Sequence, residues 1–550
     1  MPNNSKELKF DLKAKAKLLK GINVVANTVG STLGPKANNV AIERPWGPPM
    51  VLHDGVGVAR EIELEDRFEN VGAQLIKEAA GKTNDMAGDG TTTATILTKS
   101  IVTEALQNIA AGANPMIIKK GIEKARDAIV KELGKMAKEV KSDEEIRQIA
   151  EVSAQNPEIG NLIYKAHKKL GHDCAITTEE GGTEMTLEYK EGMEFNKGWV
   201  AFPFITNIKN MESIVKNPII LISDFKIDTM PEFLRFLDNW DKMPADQKSG
   251  SNLVIICDEA TGNPLRTLIT NKVQGNIKVN VITAPGHGDE RKELLEDIAV
   301  ITGGKVMSVE AGDKIDKIEP EAWGRAGSVI STKDSTMIVD GRGREKAVKF
   351  RVTQLKDQLK KSDSEIAKER LKERIAKLTT GIAVIEVGAN SEAEMKEKKE
   401  RCIDAINATQ AAIEEGIVPG GEVALLNAAD RAKRPELYDD ELVGYNLVIK
   451  AIHEPFRVLM ENSGHDSGQM LERLENCEQD LKIIPNAGID VMDGQIKDMM
   501  EAGIVDPVKV TRSALQNAVS SAIMIFTTNT IITTIPQENP PQPGAPQGMM

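Results

Sequence analysis

Apolar residues recur at helical spacing through the first third of the chain, which predicts a mainly helical region there. After Asn114 and Pro115 they fall at Ile117, Ile118, Ile122, Ile129, Leu133 and Met136. That stripe predicts one buried helix face, with Asn114 as N-cap and Pro115 as first helical residue. Between Val40 and Leu52, short apolar stretches flank Pro45-Trp46-Gly47-Pro48-Pro49 and predict a hairpin arm. The period changes near Gly192. Over residues 195–385, β-like runs (Ile219-Ile220-Leu221-Ile222, Leu253-Val254-Ile255-Ile256 and 279–282) alternate with helical segments, the pattern of a separate α/β domain. Gly192 and Gly381 bracket it, placed as hinges that absorb dihedral change with little strain. Ser391 and Glu394 stand at capping-box spacing and open a long helix that runs through Glu414 and stops at Gly416. Helical patterns then return. Residues 536–550, rich in Pro and Gln, are too polar to pack and are expected to be disordered.

A length of 550 residues favours roughly three to four domains. Apolar content of 40% supplies several cores, and charged content of 28% argues against broad disorder. A net charge of −13 and only 3% aromatic residues disfavour nucleic acid as a partner. Cys174, Cys257, Cys402 and Cys477 are scattered with no CxxC pair, so structural disulfides and zinc are not expected and a reducing compartment fits. Met1-Pro2-Asn3-Asn4 does not read as a leader, and no apolar run is long enough to cross a bilayer. The expected location is the cytoplasm, with no membrane partner.

Asn84-Asp85-Met86-Ala87-Gly88-Asp89-Gly90-Thr91-Thr92-Thr93-Ala94-Thr95 carries the clearest chemistry. Glycines allow close approach of backbone to an anion, and free N–H groups at a helix start favour negative charge. The hydroxyls add donors, and Asp89 places a carboxylate where a hard cation can bridge to phosphate. Taken alone, such a run is most often a Thr-rich helix start after a Gly turn. Gly81-Lys82-Thr83 imitates the end of a Walker loop, but Ile76 stands where that loop needs glycine, and a helical pattern precedes it.

The same run resembles the phosphate-binding signature of group I chaperonins, the GroEL-type ATP-driven folding machines. Thr32-Leu33-Gly34-Pro35-Lys36, Asp54-Gly55-Val56, the GHGDERK stretch at 286–292, the Glu394-Met395-Lys396-Glu397 segment and Val505-Asp506-Pro507 follow in the family's order, and similarity extends to about residue 535. The resemblance implies a multidomain α+β chaperonin fold. Its parts would be a mainly α-helical equatorial domain (1–135 and 415–536), a small α/β intermediate domain (136–191 and 382–414), an α/β apical domain (192–381) and a tail (537–550). It implies ATP and Mg2+ as cofactors, with K+ as an optional further ion. Thr32, Leu33, Gly34 and Pro35 would contact adenine and phosphates, Gly90, Thr91, Thr92 and Thr93 would hold the phosphates, and Asp89 would be the metal ligand. Asp404 would orient the attacking water, with Asp54 as a second carboxylate beside the terminal phosphate. Gly421, Asn486 and Asp506 would contact base and ribose. Two departures stand out: His53 occupies a position where the family usually has lysine, and Glu422 one where it usually has glycine.

In the segment from Met230 to Trp240, Phe233, Leu237 and Trp240 form one stripe, broadened by Leu234. A stripe of this kind is ordinarily core. The resemblance implies instead that Leu234 and Leu237, with Trp199, Phe202, Phe204, Leu265 and Ile269, form a client-gripping groove. Thr270 replaces an expected aliphatic residue, and residues 242–251 read as an insertion. The implied partners are unfolded or partly folded polypeptides, a GroES-type co-chaperonin and further copies of the chain in two stacked seven-membered rings. The expected function is ATP-driven capture and enclosure of non-native proteins. The alternatives are a divergent paralogue that assembles and binds clients with impaired ATP cycling, and, behind it, a small-molecule NTPase or kinase.

Overall fold

The computed structural model describes residues 5–44, 49–52, 54–172, 174–208, 210–242, 252–361, 364–379, 381–479 and 486–535. It divides into two compact units, one made of residues 1–164 and 390–550, the other of residues 165–389.

The first unit is helical and built from both ends of the chain. Its core gathers Leu18, Ile22, Ile76, Leu97, Ile101, Ile122 and Ile129 with Val448, Leu515, Ala518 and Phe526. The strand Lys6–Phe10 pairs antiparallel with Thr530–Thr534, so the ends meet directly. Helix Pro115–Met136 forms as its pattern predicts, with the Asn114 side chain accepting from the Met116 N–H at 2.9 Å. Ile118, Ile122, Ile129 and Leu133 are buried, whereas Ile117 is exposed, one position off the stripe. The predicted hairpin arm pairs Val40–Ile42 with Met50–Leu52, its turn at 45–48 lying outside the described residues. Helix Glu392–Glu415 is capped by Ser391, whose hydroxyl accepts from the Glu394 N–H at 3.2 Å. The return bond to the Glu394 carboxylate comes from the Asn390 N–H at 3.4 Å, not from Ser391 as a full capping box requires.

The second unit centres on an eight-stranded mixed sheet. Ile219–Ser223, Asn252–Cys257 and Lys278–Thr283 run parallel, with Leu253 opposite both Ile219 and Val279. Their continuous apolar runs follow from burial on both faces, since separate cores form above and below. Gly324–Ser331 joins antiparallel and continues through Thr336–Gly341 to Gly192–Phe195. A three-stranded sheet places Ile382–Val387 between Ala175–Glu180 and Thr186–Lys190. Buried Asp297 anchors two helices, accepting from Arg374 Nε at 2.7 Å and Arg351 Nε at 2.8 Å.

Gly381 has a left-handed φ of 72°, a conformation costly for other residues. Gly192 instead lies in a strand opposite Val339, where a Cβ would come 2.2 Å from the Ile338 carbonyl oxygen. Close packing accounts for glycine there. No helix among the described residues is long and apolar enough to cross a membrane. Residues 537–550 lie outside the described residues.

Candidate functional site

Helix Arg67–Ala87 ends at Gly88, and the chain passes through Asp89 and left-handed Gly90 directly into helix Thr91–Ala110. Its N-cap is Gly90, which has no side chain to bond the leading N–H groups, the arrangement that suits an anion. Thr91 and Thr93 are buried, and the Thr92 hydroxyl lies 3.4 Å from that of Thr32. Gly55 abuts this start: a Cβ there would meet Thr92 Oγ1 at 2.2 Å and Thr91 Oγ1 at 3.1 Å. Asp54 caps its own short helix, accepting from the N–H groups of Val56 at 3.1 Å and Gly57 at 2.7 Å. Its carboxylate is therefore a structural cap as well as a neighbour of Asp89.

Asp89 Oδ1 accepts from the Gly90 N–H at 2.6 Å, and Oδ2 from the Ser153 hydroxyl at 3.4 Å. Burial holds its carboxyl above the usual range, and the negative charge of Asp54 adds to the push. A hard divalent cation would offset both effects, and the oxygen-only donors fit magnesium. Among the described residues no group of three His, Cys, Asp or Glu side chains is placed to hold a metal, so such an ion would need phosphate and water oxygens too.

Asp404 is half-buried on helix Glu392–Glu415. Asn407, one turn further, packs so closely on Gly88 that a Cβ there would meet its Cβ at 2.4 Å. Ala411 joins Ala87 and Val510 in a small apolar cluster, so the Asp404 helix is seated on the turn at Gly88. Arg401 pairs with Glu397 at 2.7 Å.

The opposite wall comes from the C-terminal part of the chain. Ile417–Pro419 pairs with Val505–Pro507, setting Val418 opposite Asp506. Gly420 and Gly421 then turn the chain into helix Val423–Arg431 through Glu422, whose φ is 64°. The Thr93 hydroxyl donates to Glu422 Oε1 at 2.5 Å, joining this turn to the Thr91 helix. Burial raises the Glu422 carboxyl to about 7, helped by the charge of Asp89. Asp506 is pushed up to about 8 by burial, then by the charges of Glu422 and Asp89.

Asn486 joins the same wall despite its sequence distance. Its carbonyl accepts from the Met499 N–H at 3.1 Å, and Met499 Cε would lie 2.9 Å from a Cβ on Gly421. The Thr32–Lys36 loop is fixed by residues that sequence reasoning missed. Asn462 Nδ2 donates to the carbonyls of Gly30 at 2.8 Å and Leu33 at 3.0 Å. Lys36 Nζ donates to the Val491 carbonyl at 2.7 Å. Lys36 ends the Thr-Leu-Gly-Pro-Lys string and could have been noticed, whereas Asn462 and Met499 carry no local signal. Gly34 has a φ of 92° against Leu459, and Pro35 is exposed. His53 lies outside the described residues.

In the second unit, the helix Met230–Asp241 turns Phe233, Phe236 and Trp240 into the core. Leu234 is 47% exposed and Leu237 is half-buried, so the core stripe runs through Phe236, not Leu237. Phe202 is 54% exposed, while Phe204 is completely buried. Phe204 is thus a core ring and does not line the groove that the resemblance implied. Trp199, Leu265 and Ile269 are half-buried against the same core, and Trp199 Nε1 donates to the Met211 carbonyl at 3.1 Å. Lys272 donates to the carbonyls of Pro203 at 2.7 Å and Ile205 at 2.9 Å, clamping the Phe202 turn, and burial lowers its pKa to about 8. An open groove of about 370 Å³ is lined by Met230, Asn263, Arg266, Thr267, Thr270 and Asn271. Residues 243–251 of the insertion lie outside the described residues.

A helical unit assembled from both chain ends, with a mixed-sheet unit inserted between them, defines a multidomain α+β fold of the chaperonin type. The chain belongs to the TCP-1/cpn60 chaperonin family, which it matches over residues 25–536. Among solved structures it is similar to the chaperonin gp146 from the bacteriophage EL 2 (Pseudomonas aeruginosa), determined in the presence of ATP-BeFx. That likeness has 20% identity and a TM-score of 0.65, and covers 96% of this chain and 99% of that one.

Proposed function

We propose that this chaperonin binds and hydrolyses ATP in its first unit and uses the cycle to capture and release non-native polypeptides on its second. The observation that carries this reading is the uncapped Thr91–Ala110 helix, with Asp89 before it and the Asp404 helix seated beside it. The presence of ATP-BeFx in the phage chaperonin's structure supports a nucleotide there. The Thr91 and Thr92 hydroxyls and the helix N–H groups, that of Thr93 included, would hold the phosphates, while the Thr93 hydroxyl bonds Glu422; Asp89 would hold magnesium, and Asp404 would orient water for attack on the terminal phosphate. Magnesium, when bound, supplies charge neutralisation on the phosphoryl group; positioning and electrostatics supply nearly all of the catalysis. Asp506 accepts from the ribose, and Asn486 and the Thr32–Pro35 loop border the base.

The three-part division at 1–135 with 415–536, 136–191 with 382–414, and 192–381 belongs to the same proposal, with Gly381 as a hinge. So do the cytoplasmic location, the two stacked seven-membered rings and the GroES-type cap. Leu234, Leu237 and Phe202 form the apolar edge of the docking face. Unfolded chains share little except exposed apolar groups, so such an edge suits promiscuous capture. A second reading, a paralogue with impaired cycling, is favoured by Glu422, whose carboxylate already occupies the Thr93 hydroxyl.

The deciding experiment combines magnesium-dependent ATP hydrolysis by the full chain, negative-stain microscopy with and without ATP, and refolding of a dependent client with a GroES-type partner. Rings, turnover and nucleotide-dependent refolding are expected. Rings that hold client without turnover would favour the paralogue, and failure to bind magnesium-nucleotide would overturn both.

A further inference from the structure

We infer that Glu422 is an affinity-setting residue that opposes the phosphates: it fixes a negative charge at the edge of the anion position and weakens the most highly charged nucleotide most. The inference rests on the nucleotide site proposed above and adds to it a residue that works against the ligand. The N–H groups of Thr91, Thr92 and Thr93 lead their helix, and the first N–H with a helical partner is that of Ala94, which donates to the Gly90 carbonyl at 3.0 Å. An anion bound at this start is therefore held up to Thr93. The hydroxyl of that same residue donates to Glu422 Oε1 at 2.5 Å, which brings the carboxylate to the rim of the anion position.

No described basic side chain forms an ion pair with Glu422, Asp89 or Asp506, and the charge of Asp89 is felt at Glu422. Two costs thus meet at one half-buried residue: an unpaired carboxylate and a left-handed φ of 64° that glycine would adopt freely. The single bond to Thr93 is a small return for both in the fold, whereas action on a ligand accounts for them. Like charges repel, so the penalty grows with the negative charge of the ligand and vanishes for a ligand without phosphate. Glu422→Gly relieves the backbone and removes the charge, while Glu422→Gln keeps the size and an acceptor oxygen for Thr93 and removes the charge alone.

The test is isothermal titration calorimetry of the full chain at pH 8, where Glu422 is charged, with magnesium-ATP, magnesium-ADP and adenosine. Both Glu422→Gly and Glu422→Gln should bind magnesium-ATP about ten- to a hundredfold tighter than wild type, the span of one like charge removed from a partly screened site. The gain should be smaller for magnesium-ADP and within about twofold for adenosine. Magnesium-ATP affinity that is unchanged or weakened in both variants would overturn the inference and leave the nucleotide site standing. A gain in Glu422→Gly alone would also overturn it, by assigning the effect to bulk, as would an equal gain for adenosine, by assigning it to the base or sugar side. Failure of wild type and both variants to bind magnesium-ATP would overturn the site itself, and this inference with it.

Discussion

Glu422 and Asp506 hold protons more tightly in the folded chain than in the unfolded one, at about 7 against an ordinary 4.5 and at about 8 against 3.8. A raised carboxyl stabilises the fold fully below its unfolded value, and that contribution is lost as pH rises through the folded value. Without nucleotide, the thermal midpoint should therefore fall between about pH 4 and about pH 8, and Glu422→Gly should flatten the slope. A midpoint that rises across that window would show that the carboxylates are already neutralised by partners. The sequence marks Glu422 only as a departure from glycine. Its partner Thr93 is 329 positions away, and no local pattern reports a bond that tertiary folding alone creates. Asp404 carries a separate expectation. Asp404→Ala should slow ATP hydrolysis by about a hundredfold or more while leaving nucleotide affinity nearly unchanged, because a group that orients water acts on turnover and not on ground-state binding. Single-turnover kinetics beside calorimetry would separate the two.

At the scale of elements, the phosphate side is a junction of helix starts and packed turns, and its precision depends on residues with no chemistry of their own. Asn462 ties the Thr32 loop to its neighbouring helix through two carbonyls. Asn462→Ala should cost about 1–3 kcal/mol and weaken nucleotide binding without touching the nucleotide, measurable as parallel losses in thermal midpoint and affinity. Gly55→Ala should do more, since its Cβ would overlap Thr92 Oγ1 at 2.2 Å and force the two helix starts apart. In the second unit, Asp297 is buried between Arg351 and Arg374, and Asp297→Ala would leave Arg351 with Glu296 and Arg374 with Glu293 as their remaining carboxylate partners. A loss of about 2–3 kcal/mol in denaturant unfolding of that unit is expected, the value of charged hydrogen bonds removed while each guanidinium keeps a partner. Helix Pro115–Met136, the Val40 hairpin and the Ser391 cap were legible because each is encoded locally by spacing and capping residues. The Lys6–Thr534 pairing was not, because strand partners at opposite ends of a chain leave no periodic trace.

Across the whole molecule, one unit carries the proposed phosphate site and the other the exposed apolar edge, so the proposed function requires nucleotide in the first to change what the second presents. A ligand can do this only through different affinities for two states. The resemblance placed Phe204 on that edge, and its burial takes it off. Phe204 and Leu234 are both large and apolar, yet one is wholly buried and the other 47% exposed; both elements pack on the same core, and the difference is which face of its element each residue occupies. This contrast separates docking from folding. Leu234→Ser should reduce capture of an unfolded client by about tenfold, the value of losing roughly half of one leucine's burial, with ATP hydrolysis and thermal midpoint preserved. Phe204→Ser should instead lower the midpoint of the second unit, because it leaves a cavity and a hydroxyl in the core. Measured by aggregation suppression of a denatured client beside differential scanning calorimetry, the two variants should fail in opposite assays. If Leu234→Ser captured client as well as wild type, the apolar edge would not be the docking face, and the groove along Met230, Arg266 and Thr270 would be the surface to mutate next.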